Sequence, residues 1–419
     1  LFGSNYLFQS YDRGDTWNII SPDLTTNDTK LRNTSNGGGL TNSNTGGENH
    51  FTIITISDTP IDTSIIWIGT DDGNVQITKD NGENWENVRI NFENAPKKSW
   101  VSRVEASKHK KGRAYVTFDN HRFDDNKPYV YMTDDYGKSW KNITGNLPEK
   151  YSVYVIKEDY IDENLLFVGT EESVYFSIDK GNSWEKLGKN LPTVAVHDLV
   201  IHQREGDLIA GTHGRSIWIL DNISPLRSLN KDNANLLKTR TSTKWIKINT
   251  GRKQPYFEFR GENPPYGSII NFYSNKNYNG KLKVTNMSGL NIYSKSISLN
   301  KGINRFIWPF ELERNEDELN KYKVKFIDLV DYLKGIVSDN KILMSLDFNK
   351  TKSFNETNKL RKVLLDNYGM YARGNKMFGD KIYKEFDAPP GNYIVYIKLD
   401  NGEEFSDTIY VRDDPLRSN

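Results

Sequence analysis

Short apolar runs recur along the first half of the chain, each ending in a small pair such as Gly-Thr and followed by a polar turn. Residues 65–70 (IIWIGT), 165–170 (LLFVGT) and 208–212 (LIAGT) show this most clearly, and a second apolar run follows each turn. Runs of four to eight apolar and β-branched residues bounded by Gly and Asp turns are typical of β-strands. The pattern predicts antiparallel β-structure over residues 1–226.

An eight-residue motif, Ser/Thr-x-Asp-x-Gly-x-x-Trp, occurs four times, and we call each copy a box. Composition alone would give roughly 0.7 Gly-x-x-Trp pairs by chance, so the four copies are a repeat. Asp accepts hydrogen bonds within its own turn, Gly supplies a positive φ, and Trp fills a gap between sheets. We therefore interpret the box residues as structural. They are Asp12, Gly14, Trp17, Asp80, Gly82, Trp85, Asp135, Gly137, Trp140, Asp179, Gly181 and Trp184.

The spacing of the boxes predicts a β-propeller. Successive box Trp residues lie 68, 55 and 44 residues apart, which is close to the length of a four-stranded blade with loop insertions. We expect first strands, placed on the outside of the blades, at 51–57, 101–107, 152–156 and 196–202, with each box joining the third and fourth strands. Residues 1–226 would form a partial propeller of about five blades, the fifth lacking a box.

The second half of the chain has a different pattern. Residues 227–253 are polar and predict a linker. Short strands over 268–273, 281–285, 302–309, 391–399 and 406–412 predict a β-sandwich spanning 254–415. Apolar residues at helical spacing over 319–337 and 360–368 predict a helical hairpin inserted at about 312–380, which we expect to pack onto the sandwich. The predicted fold class is all-β, a partial propeller followed by this sandwich.

Composition excludes several classes of function. The net charge of +1 provides no general attraction for nucleic acid or an acidic membrane surface. The chain has no Cys, which excludes disulfides, thiolate nucleophiles and Cys-based metal sites. No run of 18 apolar residues predicts a membrane span. We predict no cofactor and no metal, with calcium at paired Asp turns as the one open alternative.

The candidate site lies on one rim of the predicted propeller. Because strands alternate in direction, the turn between second and third strands and the connection into each first strand lie opposite the boxes. We call this face the non-box rim. The candidate catalytic residues there are Asp71, Asp124 and Glu171. The candidate ligand-binding residues are Glu48, His50, Asp72, His121, Arg122, Asp125, His197, His213 and Arg215.

One loop is expected to cover this rim. Residues 37–47 (GGGLTNSNTGG) are rich in Gly but lack Gly-Lys-Ser/Thr and do not open a helix, so they do not form a phosphate-binding loop. A single His or carboxylate in a turn is more often structural than functional. The grouping of these residues is therefore more informative than any one of them.

Several longer passages resemble one protein family. They are residues 68–73 (IGTDDG), 121–129 (HRFDDNKPY), 196–199 (VHDL) and 211–221 (GTHGRSIWILD). With them the chain resembles bacterial proteins of the sortilin-like (VPS10-like) BNR, or Asp-box, propeller family, often labelled glycosyl hydrolase. Residues 263–267, 302–308, 390–393 and 412–415 look like that family's terminal immunoglobulin-like domain of FlgD type.

The resemblance carries further expectations. It implies export to the periplasm, the cell surface or the outside of a bacterium. Proteins of this family are usually longer, so we expect further blades N-terminal to residue 1 to complete the propeller, together with a targeting signal.

Two functions are favoured from the sequence, ahead of a third, purely structural role at the cell surface. In the first, the chain binds a glycan, protein or peptide ligand on the non-box rim without catalysis. In the second, it is a glycoside hydrolase that acts on a polysaccharide through two rim carboxylates. Hydrolysis would require those carboxylates to lie about 5 to 9.5 Å apart. A sialidase is less well supported, because only Arg122 and Arg215 are available for a triad of rim arginines.

Overall fold

The computed structural model describes residues 1–28, 50–188, 190–245, 264–312, 316–338, 340–352, 354–373 and 388–415. Contacts divide the chain into two compact units, Leu1–Arg227 and Ser228–Asn419. The first is an array of small antiparallel sheets and the second is a β-sandwich with added helices. The predicted fold class is confirmed.

The first unit contains five blades, numbered here in chain order, within the described residues. Three have four strands. These are β4 (Ile53–Thr59), β5 (Asp62–Thr70), β6 (Val75–Thr78) and β7 (Glu86–Asn87) in blade 2; β8 (Trp100–Ala106), β9 (Ala114–Asn120), β10 (Asp125–Thr133) and β11 (Lys141–Asn142) in blade 3; and β12 (Val153–Glu158), β13 (Leu166–Thr170), β14 (Val174–Ser177) and β15 (Glu185–Lys186) in blade 4.

The first and last blades each have three strands. Blade 1 consists of β1 (Phe2–Gly3), β2 (Leu7–Gln9) and β3 (Asn18–Ile19), which correspond to second, third and fourth strands. Blade 5 consists of β16 (Val196–His202), β17 (Asp207–Thr212) and β18 (Ile217–Leu220), and a short helix, α1 (Ser224–Arg227), follows it.

The first strands lie at the centre of the array, not on the outside as predicted. β4 packs against β8, β8 against β12, and β12 against β16. A hydrogen bond shows how closely blades 2 and 3 approach: the backbone N–H of Val104 donates to Thr55 Oγ1 (3.1 Å). The fourth strands β7, β11 and β15 form the opposite edges of their sheets.

Each box forms a closed turn, and in blades 2, 3 and 4 this turn ties the blade to the preceding one. In blade 4, Ser177 Oγ donates to Asp179 Oδ1 (2.7 Å), and the N–H groups of Gly181 and Ser183 donate to Ser177 Oγ and Asp179 Oδ1. Gly181 has a φ of 83°, a conformation that favours glycine. Trp184 is buried, and its Nε1 donates to the carbonyl of Ile143 in the preceding blade (2.9 Å).

The second unit is a two-sheet sandwich. One sheet has the order β19 (Asn235–Leu237), β21 (Ser268–Ser274), β24 (Gly302–Trp308). The other has the order β20 (Ser242–Lys244), β26 (Glu404–Asp413), β25 (Gly391–Leu399), β22 (Tyr278–Asn286), β23 (Asn291–Leu299). Side chains from both sheets, among them Phe272 and Val395, share one core.

Two features of the sandwich differ from the prediction. The stretch 227–253, predicted as a linker, contributes β19 and β20, because Leu237 is buried in the sandwich and β20 pairs in parallel with β26. The strand β23, in which buried Ile297 and Leu299 alternate with exposed residues, was also not predicted. β19 and β20 have only three residues each, too few to show an alternating pattern.

The insertion contains helices α2 (Glu316–Ile336), α3 (Lys341–Ser345) and α4 (Phe354–Arg373). α2 packs against both α3 and α4. Their buried side chains, including Phe326, Leu333 and Leu364, form a core supplied by the insertion itself, separate from the core of the sandwich. No helix in the described ranges is long and apolar enough to cross a membrane.

Candidate functional site

Three successive blades bring polar and aromatic side chains together on the non-box rim. Asp119 is the next-to-last residue of β9, and His121 begins the 3-10 turn His121–Phe123 in blade 3. Tyr154 lies on β12 and Glu171 follows β13 in blade 4. His197 lies on β16 and His213 follows β17 in blade 5. We call these six residues the rim cluster.

A stacked pair of rings lies at the centre of the rim cluster. The rings of Tyr154 and His197 have centroids 4.3 Å apart and planes 11° from parallel. The ring of His213 is tilted by 58° to that of His197 at 5.3 Å. Both imidazoles are exposed. The stack therefore presents aromatic surface to solvent at the junction of blades 4 and 5.

Hydrogen bonds hold the edges of this surface. The hydroxyl of Tyr154 donates to Glu171 Oε2. Burial, followed by this bond and by the negative charges of Asp119 and Glu171, raises the pKa of Tyr154 well above its ordinary value. The phenol therefore remains a donor at neutral pH, and it fixes the position of the Glu171 carboxyl group.

Asp119 orients His121 in a similar way. The side chain of Asp119 is buried, and its Oδ2 lies 2.6 Å from Nδ1 of His121. Because a carboxylate only accepts, Nδ1 carries the proton, and Nε2 of a neutral ring is then an acceptor. Asp119 Oδ1 also accepts from the backbone N–H of His121 (3.1 Å).

The pKa of His197 is affected by four other residues of the rim cluster. Partial desolvation of the ring by its neighbours, together with His213 and His121, lowers the pKa of His197, while Glu171 and Asp119 oppose this shift. The imidazole is thus mainly neutral near pH 7. Arg103 supports it from blade 3, since Nη2 donates to the carbonyl of His197 (3.3 Å) and to Asp198 Oδ1 (2.9 Å).

Two predicted site residues, Asp71 and Asp72, are buried, at 4% and 3% exposure. Asp71 Oδ1 accepts from the backbone N–H groups of Phe51 (3.0 Å) and Thr52 (2.8 Å), which fixes the entry into β4. Asp72 accepts from the backbone N–H and hydroxyl of Thr26 and from the hydroxyl of Thr70. Both carboxyl groups are thus used inside the first unit to hold the chain around blade 2.

The pKa of Asp71 is nevertheless strongly perturbed. Burial raises the pKa of Asp71 to about 6, and adjacent Asp72 adds to the effect, while the hydrogen bonds from Thr52 and Phe51 and the charge of His50 oppose it. A carboxyl group that titrates near neutral pH is a recurrent feature of functional sites. Here its low exposure limits direct contact with a ligand.

The remaining candidates in blade 3 lie around the 3-10 turn. Asp124 is exposed and closes the turn with a φ of 59°. Asp125 accepts hydrogen bonds from Asn120 Nδ2 (2.9 Å) and from the Tyr129 hydroxyl (2.7 Å). Burial acts to raise the pKa of Asp125, but these hydrogen bonds have the larger effect, and the pKa is lowered overall. The guanidinium of Arg122 lies 3.1 Å from the ring centroid of Trp100.

The structure thus groups some predicted residues and separates others. His121, Glu171, His197 and His213 belong to the rim cluster, whereas Asp71 and Asp72 are engaged around blade 2. Arg215 is exposed beyond β17, and its carbonyl accepts from Trp218 Nε1 (2.9 Å). Glu48 and the loop 37–47 lie outside the described residues.

Sequence reasoning missed Tyr154, Asp119 and Arg103. Tyr154 and Arg103 lie on first strands, which were placed on the outside of the propeller. A correct central placement would have singled out polar and aromatic residues near the start of each first strand. No group of three or more His, Asp or Glu in the described part of the chain is arranged to hold a metal ion.

A family model described as Sortilin, neurotensin receptor 3 (Sortilin-Vps10) matches residues 128–309. Together with the blade geometry, this match supports a sortilin-like repeat β-propeller. The search of curated proteins found no match.

Solved structures with some similarity include a peptide-bound protein and two enzymes. YCF48 bound to D1 peptide is 18% identical, with 40% of this chain and 51% of that one covered and a TM-score of 0.31. The GH74 enzyme from Niastella koreensis is 12% identical, with 62% and 32% covered and a TM-score of 0.33. An ancestral GH74 enzyme is 9% identical, with 75% and 36% covered and a TM-score of 0.38. The chain spans about a third to a half of the length of these structures.

Proposed function

We propose that the chain is part of an exported propeller protein that binds a glycan or a protein ligand at the rim cluster. The observation that supports this most is the convergence of side chains from three blades on His197. An isolated turn residue needs no partner from two neighbouring blades. A ligand-binding surface does, because it must present several groups to one molecule.

The chemistry of the rim cluster favours a ligand with hydroxyl or cationic groups. The stacked rings of Tyr154 and His197 offer a flat apolar surface, on which a sugar ring or an aromatic side chain packs. Around it lie the carboxyl groups of Glu171 and Asp119, and the imidazole of His197 within the stack is neutral. The nearby cation Arg103 is already paired with Asp198. The surplus of acceptors disfavours an anionic ligand.

A glycoside hydrolase is the second candidate. Glu171 is exposed in the rim cluster and Asp124 is exposed in the neighbouring blade, so both are open to a substrate. Hydrolysis needs one carboxyl group that holds its proton and one that is ionised. Asp71 has a raised pKa and could therefore be the carboxyl group that holds its proton, but its side chain is nearly inaccessible to a substrate.

Two measurements distinguish these functions. The protein is first screened for binding against an array of neutral, cationic and acidic glycans and a peptide library, and we expect hits among neutral or cationic ligands. Reducing-sugar release is then measured on a polysaccharide panel with wild type, Asp124→Asn and Glu171→Gln. Release that both substitutions abolish would replace the binding proposal with hydrolysis. Absence of any ligand on either panel would contradict both functions.

The remaining features are proposed by resemblance. Export to the periplasm, the cell surface or the medium follows from likeness to the sortilin-like family and is tested by fractionating cells that express the natural gene. We propose that the sandwich of the second unit is a FlgD-type immunoglobulin-like domain that acts as a spacer or docking module.

A further inference from the structure

The open polar atoms of the rim cluster are mostly hydrogen-bond acceptors. Glu171 is exposed, and its Oε1 has no partner among the described residues, because the Tyr154 hydroxyl donates to Oε2. His121 is also exposed, and Nε2 of its neutral ring is a second open acceptor, since Nδ1 donates to Asp119. The hydroxyl of Tyr154 and the Nδ1–H of His121 are therefore donors already used inside the cluster.

His197 and His213 do not reverse this balance. In its neutral form each imidazole has one N–H donor and one nitrogen acceptor, so the two rings add donors and acceptors in equal number. Both rings are exposed, and in the described part of the chain their nitrogens have no hydrogen-bond partner. Acceptors therefore outnumber donors on the surface that the rim cluster presents.

The charges around the stacked rings favour a cation. The negative charges of Asp119 and Glu171 reach both rings of the stack. Arg103 does not offset them, because it is paired with Asp198 at 2.9 Å. Asp119 is only 6% exposed, so water screens its charge weakly. A cationic group that binds over the stack is therefore attracted by two carboxylates.

The shape of the surface favours a flat cation with an apolar stem. The rings of Tyr154 and His197 lie 11° from parallel, with centroids 4.3 Å apart. The negative face of an aromatic ring attracts cations, and the planar guanidinium of Arg stacks on such a face, whereas the ammonium of Lys is a compact point charge. The methylene stem of an Arg side chain packs along apolar surface. The stack therefore fits an Arg side chain.

An Arg side chain also matches the open acceptors better than a sugar does. A guanidinium has five N–H donors and no acceptor, whereas a hydroxyl group accepts as well as donates. A bound sugar therefore needs donors from the protein, and the nearby Arg103 is already paired with Asp198. The acceptors Glu171 Oε1 and His121 Nε2 belong to adjacent blades, and a guanidinium donates along more than one edge. One guanidinium can therefore serve both.

We propose that the rim cluster binds an Arg side chain of a peptide or protein ligand. This inference rests on the proposed ligand site and names the group that the site recognises. The guanidinium stacks on the ring of His197, donates to Glu171 Oε1 with one edge and donates to His121 Nε2 with another. Blades 3, 4 and 5 thus each supply one contact.

Two short peptides that differ in one group test this proposal. One is a blocked pentapeptide with Arg between two pairs of Gly, and the other has citrulline in place of Arg, which keeps the planar shape but has no charge. Their dissociation constants for residues 1–419 are measured by isothermal titration calorimetry at pH 7.5. We expect the Arg peptide to bind at least about tenfold more tightly, because citrulline loses the charge-assisted hydrogen bonds and the cation–π contact. Equal affinity, tighter binding of the citrulline peptide, or no binding of the Arg peptide overturns the proposal.

Two substitutions locate the contact. Glu171→Gln removes the charge and keeps an amide oxygen that accepts from Tyr154, so it should weaken binding of the Arg peptide at least about fivefold and leave the citrulline peptide unaffected. The matched control is Glu83→Gln, at an exposed carboxylate in the box turn of blade 2 on the opposite face, which should change neither affinity. Unchanged binding of the Arg peptide in Glu171→Gln, or an equal loss in both variants, contradicts the contact with Glu171.

Failure of this proposal is distinguishable from failure of the proposed function. If a neutral glycan or an uncharged peptide binds at the rim cluster and the Arg peptide has no advantage over the citrulline peptide, the Arg proposal is overturned and the ligand site remains. If no ligand of any class binds, both are overturned. Preference for Arg that Glu171→Gln removes supports both.

Discussion

Replacing Asp71 by asparagine should stabilise the protein at neutral pH and not at acidic pH. Burial raises the pKa of Asp71 to about 6 from an ordinary value of 3.8. Below about pH 3.8 the group is protonated in the folded and unfolded states alike. As the pH rises to about 6, the unfolded chain loses the proton while the folded chain retains it, so stability falls. Above about 6 both states are ionised and the loss is complete.

The size of the effect follows from the difference between the two pKa values. At about 1.4 kcal/mol for each tenfold change in proton affinity, the ionised Asp71 reduces the free energy of unfolding at pH 7.5 by about 3 kcal/mol. The asparagine introduced at this position retains a carbonyl oxygen that can accept from Phe51 and Thr52 and never carries a charge. Asp71→Asn should therefore gain up to about 3 kcal/mol above pH 7 and nothing near pH 4.

Urea unfolding at pH values between 4 and 8 measures this difference directly. The matched control is Asp72→Asn, which we expect to destabilise the protein by about 1 to 3 kcal/mol, because Asp72 accepts three hydrogen bonds from Thr26 and Thr70. A stability difference between wild type and Asp71→Asn that does not change with pH would refute the account of Asp71.

Two further pairs of substitutions test contacts within the first unit. Trp184→Ala should lower the free energy of unfolding by about 3 to 5 kcal/mol, because the indole is buried against blade 3. Trp17→Ala, at the equivalent but 46% exposed position, should lower it by less than about 1 kcal/mol. Equal losses of stability in thermal unfolding would disprove the structural role of the boxes. Arg227→Ala removes two hydrogen bonds of 2.8 Å to buried Asp159 and should lower the free energy of unfolding by about 3 to 5 kcal/mol. The control Arg204→Ala, which removes a solvent-accessible ion pair with Glu205, should lower it by less than about 1 kcal/mol. A comparably small loss for Arg227→Ala in urea unfolding would contradict this expectation.

The sequence was sufficient for the architecture because the boxes repeat. Each box combines an Asp, a Gly and a Trp, so a single pattern locates the third and fourth strands in the four blades that carry a box. The pattern contains no information on which strand lies at the centre. That depends on contacts between blades, such as the bond from Val104 to Thr55 Oγ1, which join residues far apart in the chain.

The candidate site was less predictable, because it too depends on contacts between blades. His197 and His213 can be placed on one rim from strand direction alone, but the stack of Tyr154 on His197 depends on how blades 4 and 5 meet. The burial of Asp71 similarly depends on the entry into β4, where Phe51 and Thr52 donate to it. Sequence spacing locates turns, whereas packing decides which turn residues are accessible.

A single comparison of affinities shows whether the rim cluster binds a ligand. The dissociation constant of the tightest ligand from the glycan and peptide screens is measured for wild type, His197→Ala and Lys138→Ala, the last being an exposed box-turn residue on the opposite face. We expect His197→Ala to weaken binding at least about tenfold, or about 1.4 kcal/mol, and Lys138→Ala to leave it unchanged. Unchanged binding in His197→Ala, or an equal loss in both variants, would contradict a ligand site at the rim cluster.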